Sequence, residues 1–318
     1  MKKESAGGFK TSIGGQALIE GILMRGPEKE AIVVRTENGL VTKVTELHPL
    51  SARHKWCGRP LIRGVVNFVD SMAHGMKALT YSAELAPEEL QEEPSKVDLW
   101  IEKHFSDEKA EKLIIGLAVV LGLLLAVGLF IFLPTLLIGF LGLEEHDVLR
   151  SILEGVLKLI IFFLYLWACC QMKDIKRVFA YHGAEHKSIY CYEHGKELTV
   201  ENVRPESRLH PRCGTSFLFV VVFLSIIVFI LVNAFLGVQN TFLRMVLKLC
   251  LLPLVVAFSY ELNRWVGRHD ECRLSRILSW PGRKLQLLTT NEPDDEMIEV
   301  AITALKLVIP ETKGLDTW

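Results

Sequence analysis

The sequence predicts an α-helical membrane bundle of four spans plus a small α+β cytoplasmic domain built from both chain ends. Half of the 318 residues are apolar and 23% are charged, a combination that one continuous core cannot hold, so the two kinds must be segregated along the chain. The charges concentrate before position 113, in the segment 171–214 and after Gly267. Between these blocks lie four apolar stretches, each close to or above the roughly 20 residues that cross a bilayer.

Residues 1–85 form the amino-terminal half of the expected domain. The run from Gly14 to Pro27 reads as one short strand closed by a Gly-Pro turn, with Gln16, Glu20 and Arg25 as solvent-facing strand polars. Residues 31–36 and 40–47 flank Glu37-Asn38-Gly39, and Asn-Gly between alternating runs signals a hairpin. Gly14-Gly15 lacks the Lys-Ser/Thr ending and helix start of a phosphate loop. From Ile62 the period becomes helical: Ile62, Val65, Val66, Phe68, Val69, Met72, Met76 and Leu79 make a broad apolar stripe, expected to cover the sheet, the alternative being a helix along the membrane surface. Residues 86–112 are an acidic, proline-bounded linker and a lead-in helix.

The spans are expected at 113–143, 149–170, 215–238 and 242–263. Pro134 and the glycines after it predict a kink or an end near Phe140 rather than two crossings. Glu154 and Lys158 are four apart, so they can pair on one helix face near the interface. Four spans leave both termini on one side. The segments 171–214 and 264–284 are rich in Lys and Arg, whereas 139–150 and 237–243 are not. By the positive-inside rule, the central loop and both termini face the cytoplasm of a multi-pass cell-membrane protein. The first 20 residues lack the apolar core of a signal peptide, so the amino terminus is expected to be retained.

Beyond Trp280-Pro281-Gly282, residues 284–290 read as a strand, 291–295 as a turn and 296–308 as an amphipathic helix. One strand and one helix cannot bury a core. Residues 264–318 are therefore expected to complete the amino-terminal sheet.

A formal net charge of −1 and the absence of a basic run with interleaved aromatics argue against nucleic acid as a partner. Seven cysteines with no CxxC pair argue against a disulfide framework and for a reduced compartment.

The chemistry gathers in 171–214. If 172–190 is helical, His182 and His186 share one face one turn apart, and Glu185 can reach a cation they hold or a water on it, the logic of an HxxEH zinc motif. A catalytic zinc needs a third ligand. His210 and Cys213 of His210-Pro-Arg-Cys213 are the local candidates and Glu261 the distant one. Glu185 would then be the general base for an amide or ester substrate at the membrane surface. With both His210 and Cys213 bound, the site would be closed and structural. The competing readings are histidines bonded to lipid headgroups or backbone, and Glu261 with Asn263 and Arg264 as a polar cluster at a helix end.

Gly14-Gly15-Gln-Ala-Leu-Ile-Glu-Gly-Ile-Leu-Met-Arg-Gly-Pro27, His182-Gly-Ala-Glu-His-Lys187, Leu198-Thr-Val-Glu-Asn-Val-Arg204, His210-Pro-Arg-Cys-Gly-Thr-Ser216 and Leu288-Thr-Thr-Asn-Glu-Pro-Asp294 resemble the signature segments of the YqhQ-like bacterial membrane proteins. The resemblance runs over nearly the whole chain, five segments in order. It implies a predicted metal-dependent membrane enzyme with no assigned substrate.

The expected function is thus a polytopic membrane protein with a cytoplasm-facing divalent-metal site, zinc being the expected ion, able to support hydrolysis. The alternative is a non-enzymatic factor whose cytoplasmic domain docks a protein-insertion or translation partner. A transporter reading rests on Glu154, Lys158, Asn233 and Lys248, and has no inverted repeat behind it.

Overall fold

The computed structural model describes residues 9–47, 54–87, 107–143, 146–269 and 272–317; the charged part of the expected linker, 88–106, lies outside them. Four strands, β1 (Gly14–Leu18), β2 (Gly21–Arg25), β3 (Lys29–Thr36) and β4 (Gly39–Glu46), form one antiparallel meander in chain order. Helices follow as α1 (Ile62–Leu85), α2 (Asp107–Val127), α3 (Leu133–Gly139), α4 (Asp147–Cys169), α5 (Lys173–Glu193), α6 (Val200–Val203), α7 (Gly214–Leu236), α8 (Thr241–Arg268), α9 (Arg273–Thr289) and α10 (Asp295–Val308).

The expected single strand over 14–27 is two strands. Leu18 pairs with Gly21, so Ile19-Glu20 makes a tight reversal, with Glu20 left-handed at φ 51°. That strain is held by tertiary contacts, since both Glu20 carboxylate oxygens accept from Arg177, at 2.5 and 2.6 Å, and one accepts from Tyr181 Oη at 3.1 Å. The chain reverses again at residues 26–28 between β2 and β3, and the third reversal spans Glu37-Asn38, with Gly39 opening β4 at φ 110°. Arg25 is ion-paired with Asp70 of α1 at 2.5 Å.

Alternation along β2 and β3 sends side chains to two covered faces, which is why both strands are apolar almost throughout. Ile22, Met24, Ala31 and Val33 join a core with α5 and α10, including Tyr181, Ala184, Ile298 and Leu305. Leu18, Leu23, Ile32 and Val34 pack under Ala78 of α1. α1 covers the sheet with its later turns, where Ala78 is buried and Leu79, Tyr81 and Leu85 pack beside it; Ile62, Val69 and Met72 of the expected stripe are exposed instead, and α10 packs on the other face of the sheet. Asp294 caps α10 by accepting from Met297 N–H at 2.8 Å.

The strand expected at 284–290 is instead the last turns of α9. Its buried residues Ser275, Gly282, Leu285, Gln286 and Thr289 recur at helical intervals, and the local run was too short to reveal that period.

The chain divides into two compact units: residues 1–88, 166–223 and 254–318 in one, residues 89–165 and 224–253 in the other. The first therefore draws on the central segment as well as both ends, because α5 packs on the sheet. Among the described residues, four helical stretches are long and apolar enough to cross a membrane: Leu113–Gly139, Asp147–Cys169, Gly214–Leu236 and Thr241–Arg268. The first of these ends at Gly139, before Phe140, and contains a π-helical turn, Gly128–Phe132, just ahead of Pro134. In the second unit, Glu154 is ion-paired with Arg150, Arg244 and Lys248. The expected partner, Lys158, instead donates to Ser225 Oγ at 3.1 Å. Three cations on neighbouring turns outcompete one four residues along.

Candidate metal centre

The first unit brings His182, His186 and Cys213 together. Each offers one ligand atom, and the three atoms lie within 4.8 Å of one another. His182 and His186 come from consecutive turns of α5, where the spacing of four puts both rings on one face, with ring centres 4.4 Å apart. Cys213 comes from the loop just before α7, and its thiol lies 3.1 Å from His182 Nε2.

The outer nitrogens determine what the inner ones can do. His182 Nδ1 lies 2.8 Å from the Thr289 carbonyl and His186 Nδ1 lies 2.5 Å from the Arg208 carbonyl. A carbonyl only accepts, so both Nδ1 atoms carry hydrogen and both Nε2 atoms are left with a lone pair in the neutral rings. Metal-ligating histidines are oriented in this way by partners beyond the ligand shell. Thr289 ends α9, so the helix that replaces the expected strand supplies one of the two orienting carbonyls.

Charge in the metal-free cluster is coupled. Burial pushes the Cys213 thiol up, yet His182 and His186 hold it well below the ordinary thiol range. Burial likewise lowers His182, but the Cys213 thiolate and Glu185 outweigh it and raise the imidazole to about 9. Thr215 N–H, in the first turn of α7, adds a donor at 3.4 Å to the sulfur, where the helix amino end favours negative charge.

Glu185 borders the same cluster. One carboxylate oxygen accepts from Gly15 N–H at 3.0 Å and the other lies 4.0 Å from His182 Nε2. Burial raises its pKa, an effect that His186 and His182 oppose. Gly15 permits this closeness: a Cβ there would stand 3.0 Å from Glu185 Cγ and 2.7 Å from the Leu23 carbonyl. Gly183 does the same for the other side of α5, where a Cβ would come within 2.1 Å of the Asn291 carbonyl.

The two remaining candidates lie elsewhere. Glu261 accepts from Arg63 Nε at 2.7 Å and from Leu61 N–H at 3.2 Å, and a second Arg63 nitrogen closes the fork. A guanidinium already satisfies it, and it is not among the three residues whose ligand atoms converge. His210 stands behind the cluster, its ring 5.6 Å from that of His186 and its Nε2 3.4 Å from Glu193. Burial lowers its pKa to about 4 despite Glu193, so at neutral pH it is an uncharged buttress. Glu193 is itself held below the usual carboxylate range by His210 and Arg212 despite burial.

Sequence reading missed Gln286. Its Oε1 accepts from His210 N–H at 2.8 Å, and its Nε2 donates to the His210 carbonyl at 2.7 Å and to Ser216 Oγ at 2.8 Å. One fully buried amide thereby pins both ends of the segment that carries Cys213. A glutamine within a basic, amphipathic run carries no local mark of this.

The donor set fits zinc. Nitrogen and thiolate ligands at about 2.0–2.3 Å from zinc lie about 3.5 Å apart in a tetrahedron; the three atoms here lie within 4.8 Å of one another, with His182 Nε2 and Cys213 Sγ 3.1 Å apart.

A family model described as "Protein of unknown function (DUF1385)" matches residues 59–311. The chain is also 33% identical over 299 residues to the "Uncharacterized protein YqhQ" of Bacillus subtilis (strain 168), across 91% of this chain and 89% of that one. No solved structure matches. Neither description names a metal or a reaction.

Proposed function

This chain belongs to the DUF1385 family, and from that premise and its buried cluster we propose a multi-pass membrane protein that holds a divalent metal, preferably zinc, on His182, His186 and Cys213. The convergence of one thiol with two histidines whose Nδ1 atoms are tied to main-chain carbonyls carries this reading. A buried set of two imidazole nitrogens and a thiol sulfur suits zinc better than magnesium or calcium, which prefer oxygen.

Bound there, zinc would supply a Lewis acid and an acidified water. The chain's own part is to hold a carboxylate beside the ligands. Glu185 keeps one oxygen fixed on Gly15 N–H and leaves the other toward His182. A buried carboxyl with a raised pKa is suited to take up a proton and return it, as hydrolysis of an amide or ester requires. The basic residues of 171–214 and 264–284 favour a cytoplasmic position for this unit and both termini, in the cell membrane.

Near-closure favours a second reading. His182, Glu185, His186 and Cys213 are buried or nearly so, and with Glu185 as a fourth ligand the metal would be structural, in a non-enzymatic factor whose exposed surfaces meet a protein partner.

Metal analysis of the purified full chain tests the shared part: about one zinc per chain is expected, and loss of it in Cys213→Ala and in the His182→Ala/His186→Ala double variant. Glu185→Gln separates the readings. If Glu185 carries protons, zinc stays bound at unchanged affinity and ester- or amide-hydrolysing activity disappears. If it is a ligand, affinity falls by more than about tenfold. A wild-type chain purified without metal and unable to bind added zinc overturns both.

A further inference from the structure

The second unit holds a buried charge cluster that the metal site does not use. Asp147, Arg150, Glu154 and Lys158 succeed one another at three- and four-residue intervals on α4, and Arg244 and Lys248 do so on α8, so each set lines one helix face. Arg150, Glu154, Lys158, Arg244 and Lys248 are at most 6% exposed. Eleven residues separate Asp147 from Lys158, a rise of about 16 Å, roughly half the thickness of a hydrocarbon core.

Cations exceed anions here. Glu154 is shared by Arg150 at 3.4 Å, Arg244 at 3.2 Å and Lys248, while Asp147 meets Arg244 at 3.7 Å. Lys158 has no carboxylate at ion-pair distance among the described residues. Its ammonium donates to Ser225 Oγ at 3.1 Å and stands 4.9 Å from the Phe229 ring centre. Four basic side chains against two carboxylates leave the basic groups in excess in a low-dielectric interior, where an unbalanced ion costs several kcal/mol.

The Nε–H groups of Arg150 and Arg244 are buried and face Glu154 Oε1 at 3.4 and 3.2 Å without an aligned hydrogen bond, and Glu154 Oε1 and Asp147 Oδ1 are likewise unmatched. The hydroxyls of Thr135, Ser151, Ser225 and Thr241 line the same cluster by bonding Lys248, Arg244, Lys158 and Arg150 respectively. Thr135 follows the π-helical turn Gly128–Phe132, a distortion that often marks functional positions in helices.

We propose that this cluster binds a phosphate-type oxyanion. Inorganic phosphate carries a charge of about −1.5 to −2 at neutral pH and a phosphodiester headgroup about −1, each with several strong acceptor oxygens; such an oxyanion offsets the excess of basic groups. Guanidinium forks recognise it better than they recognise a halide. The oxyanion is either free inorganic phosphate or a phospholipid headgroup. It enters from the side of the 237–240 connection, where Arg150 and Arg244 hold the Gln239 and Val238 carbonyls.

The full chain in nanodiscs is titrated with inorganic phosphate, and retained phosphorus is measured after exhaustive detergent exchange. A saturable rise in melting temperature that weakens at least about tenfold in Lys158→Met identifies free phosphate as the ligand. About one retained phosphorus per wild-type chain, lost in Lys158→Met, identifies the headgroup. Lys248→Met serves as a second variant should Lys158→Met not fold. The proposal is overturned if folded wild type neither responds to phosphate nor retains phosphorus, or if the folded variants respond or retain as wild type does.

Discussion

His182 and His186 differ from ordinary core histidines in where their second nitrogen goes: each gives its Nδ1 hydrogen to a main-chain carbonyl, and each is left with Nε2 as the nitrogen for a ligand. That distinction is made by atoms over a hundred residues away in the case of Thr289, so a pattern of His, Glu and His at i, i+3 and i+4 could suggest the site but not its orientation. His210 illustrates the opposite role. Its pKa is lowered to about 4 from an ordinary 6.5, so between those values the unfolded chain binds a proton that the folded chain refuses. Stability should therefore fall as pH drops from 6.5 toward 4, by at most about 1.4 kcal/mol per pH unit from this residue. His210→Gln should flatten that acid limb in denaturant unfolding at pH 7 and pH 5, while a slope equal to wild type would show that His210 takes up its proton in the fold. Gly183→Ala should cost about 1–3 kcal/mol by thermal unfolding, because the new methyl meets the Asn291 carbonyl.

At the scale of elements, α9 decides most. Its inner residues hold the site, and Leu274, Ile277, Trp280 and Leu288 on it are exposed among basic residues, the composition of a helix lying at a membrane surface. Replacing Gln286 by Leu would leave a buried N–H, a carbonyl and a hydroxyl unpaired. A loss of about 2–4 kcal/mol is expected, with weaker zinc retention because the loop before Cys213 is no longer pinned. Thermal unfolding with metal analysis checks this, and a variant that melts and retains zinc like wild type would remove Gln286 from the account. The reversal at Ile19-Glu20 was hidden for a similar reason: no glycine or asparagine marks it, and a salt bridge to Arg177 from α5 holds the left-handed Glu20. Where the turn residues were conventional, as at Glu37-Asn38-Gly39, the hairpin was legible, and its second strand begins one residue earlier than expected, at Gly39.

For the whole molecule, two buried polar centres occupy separate compact units. In the second unit, Glu154 is the common partner of three cations. Removing a carboxylate on which buried charges depend costs about 3–5 kcal/mol, so Glu154→Ala should lower the melting temperature of the detergent-solubilised chain far more than Asp147→Ala, whose side chain is 20% exposed. Equal, small shifts would mean that water already screens the cluster. Reporter fusions test the proposed orientation: those at either end of the chain should report the cytoplasm and those in 237–240 the opposite side.

By itself the sequence determined the four long apolar helices, the hairpin at Asn38-Gly39, the helix beginning at Ile62 and the pairing of His182 with His186, because each depends on residues within a few turns of one another. Only the tertiary structure decided that Cys213 rather than Glu261 joins the histidine pair, that residues 284–289 are helical and that Glu154 serves three cations. Apart from Arg150, which precedes Glu154 by one turn, those partners lie from 31 to 198 positions apart, and a local period carries no trace of a partner that distant.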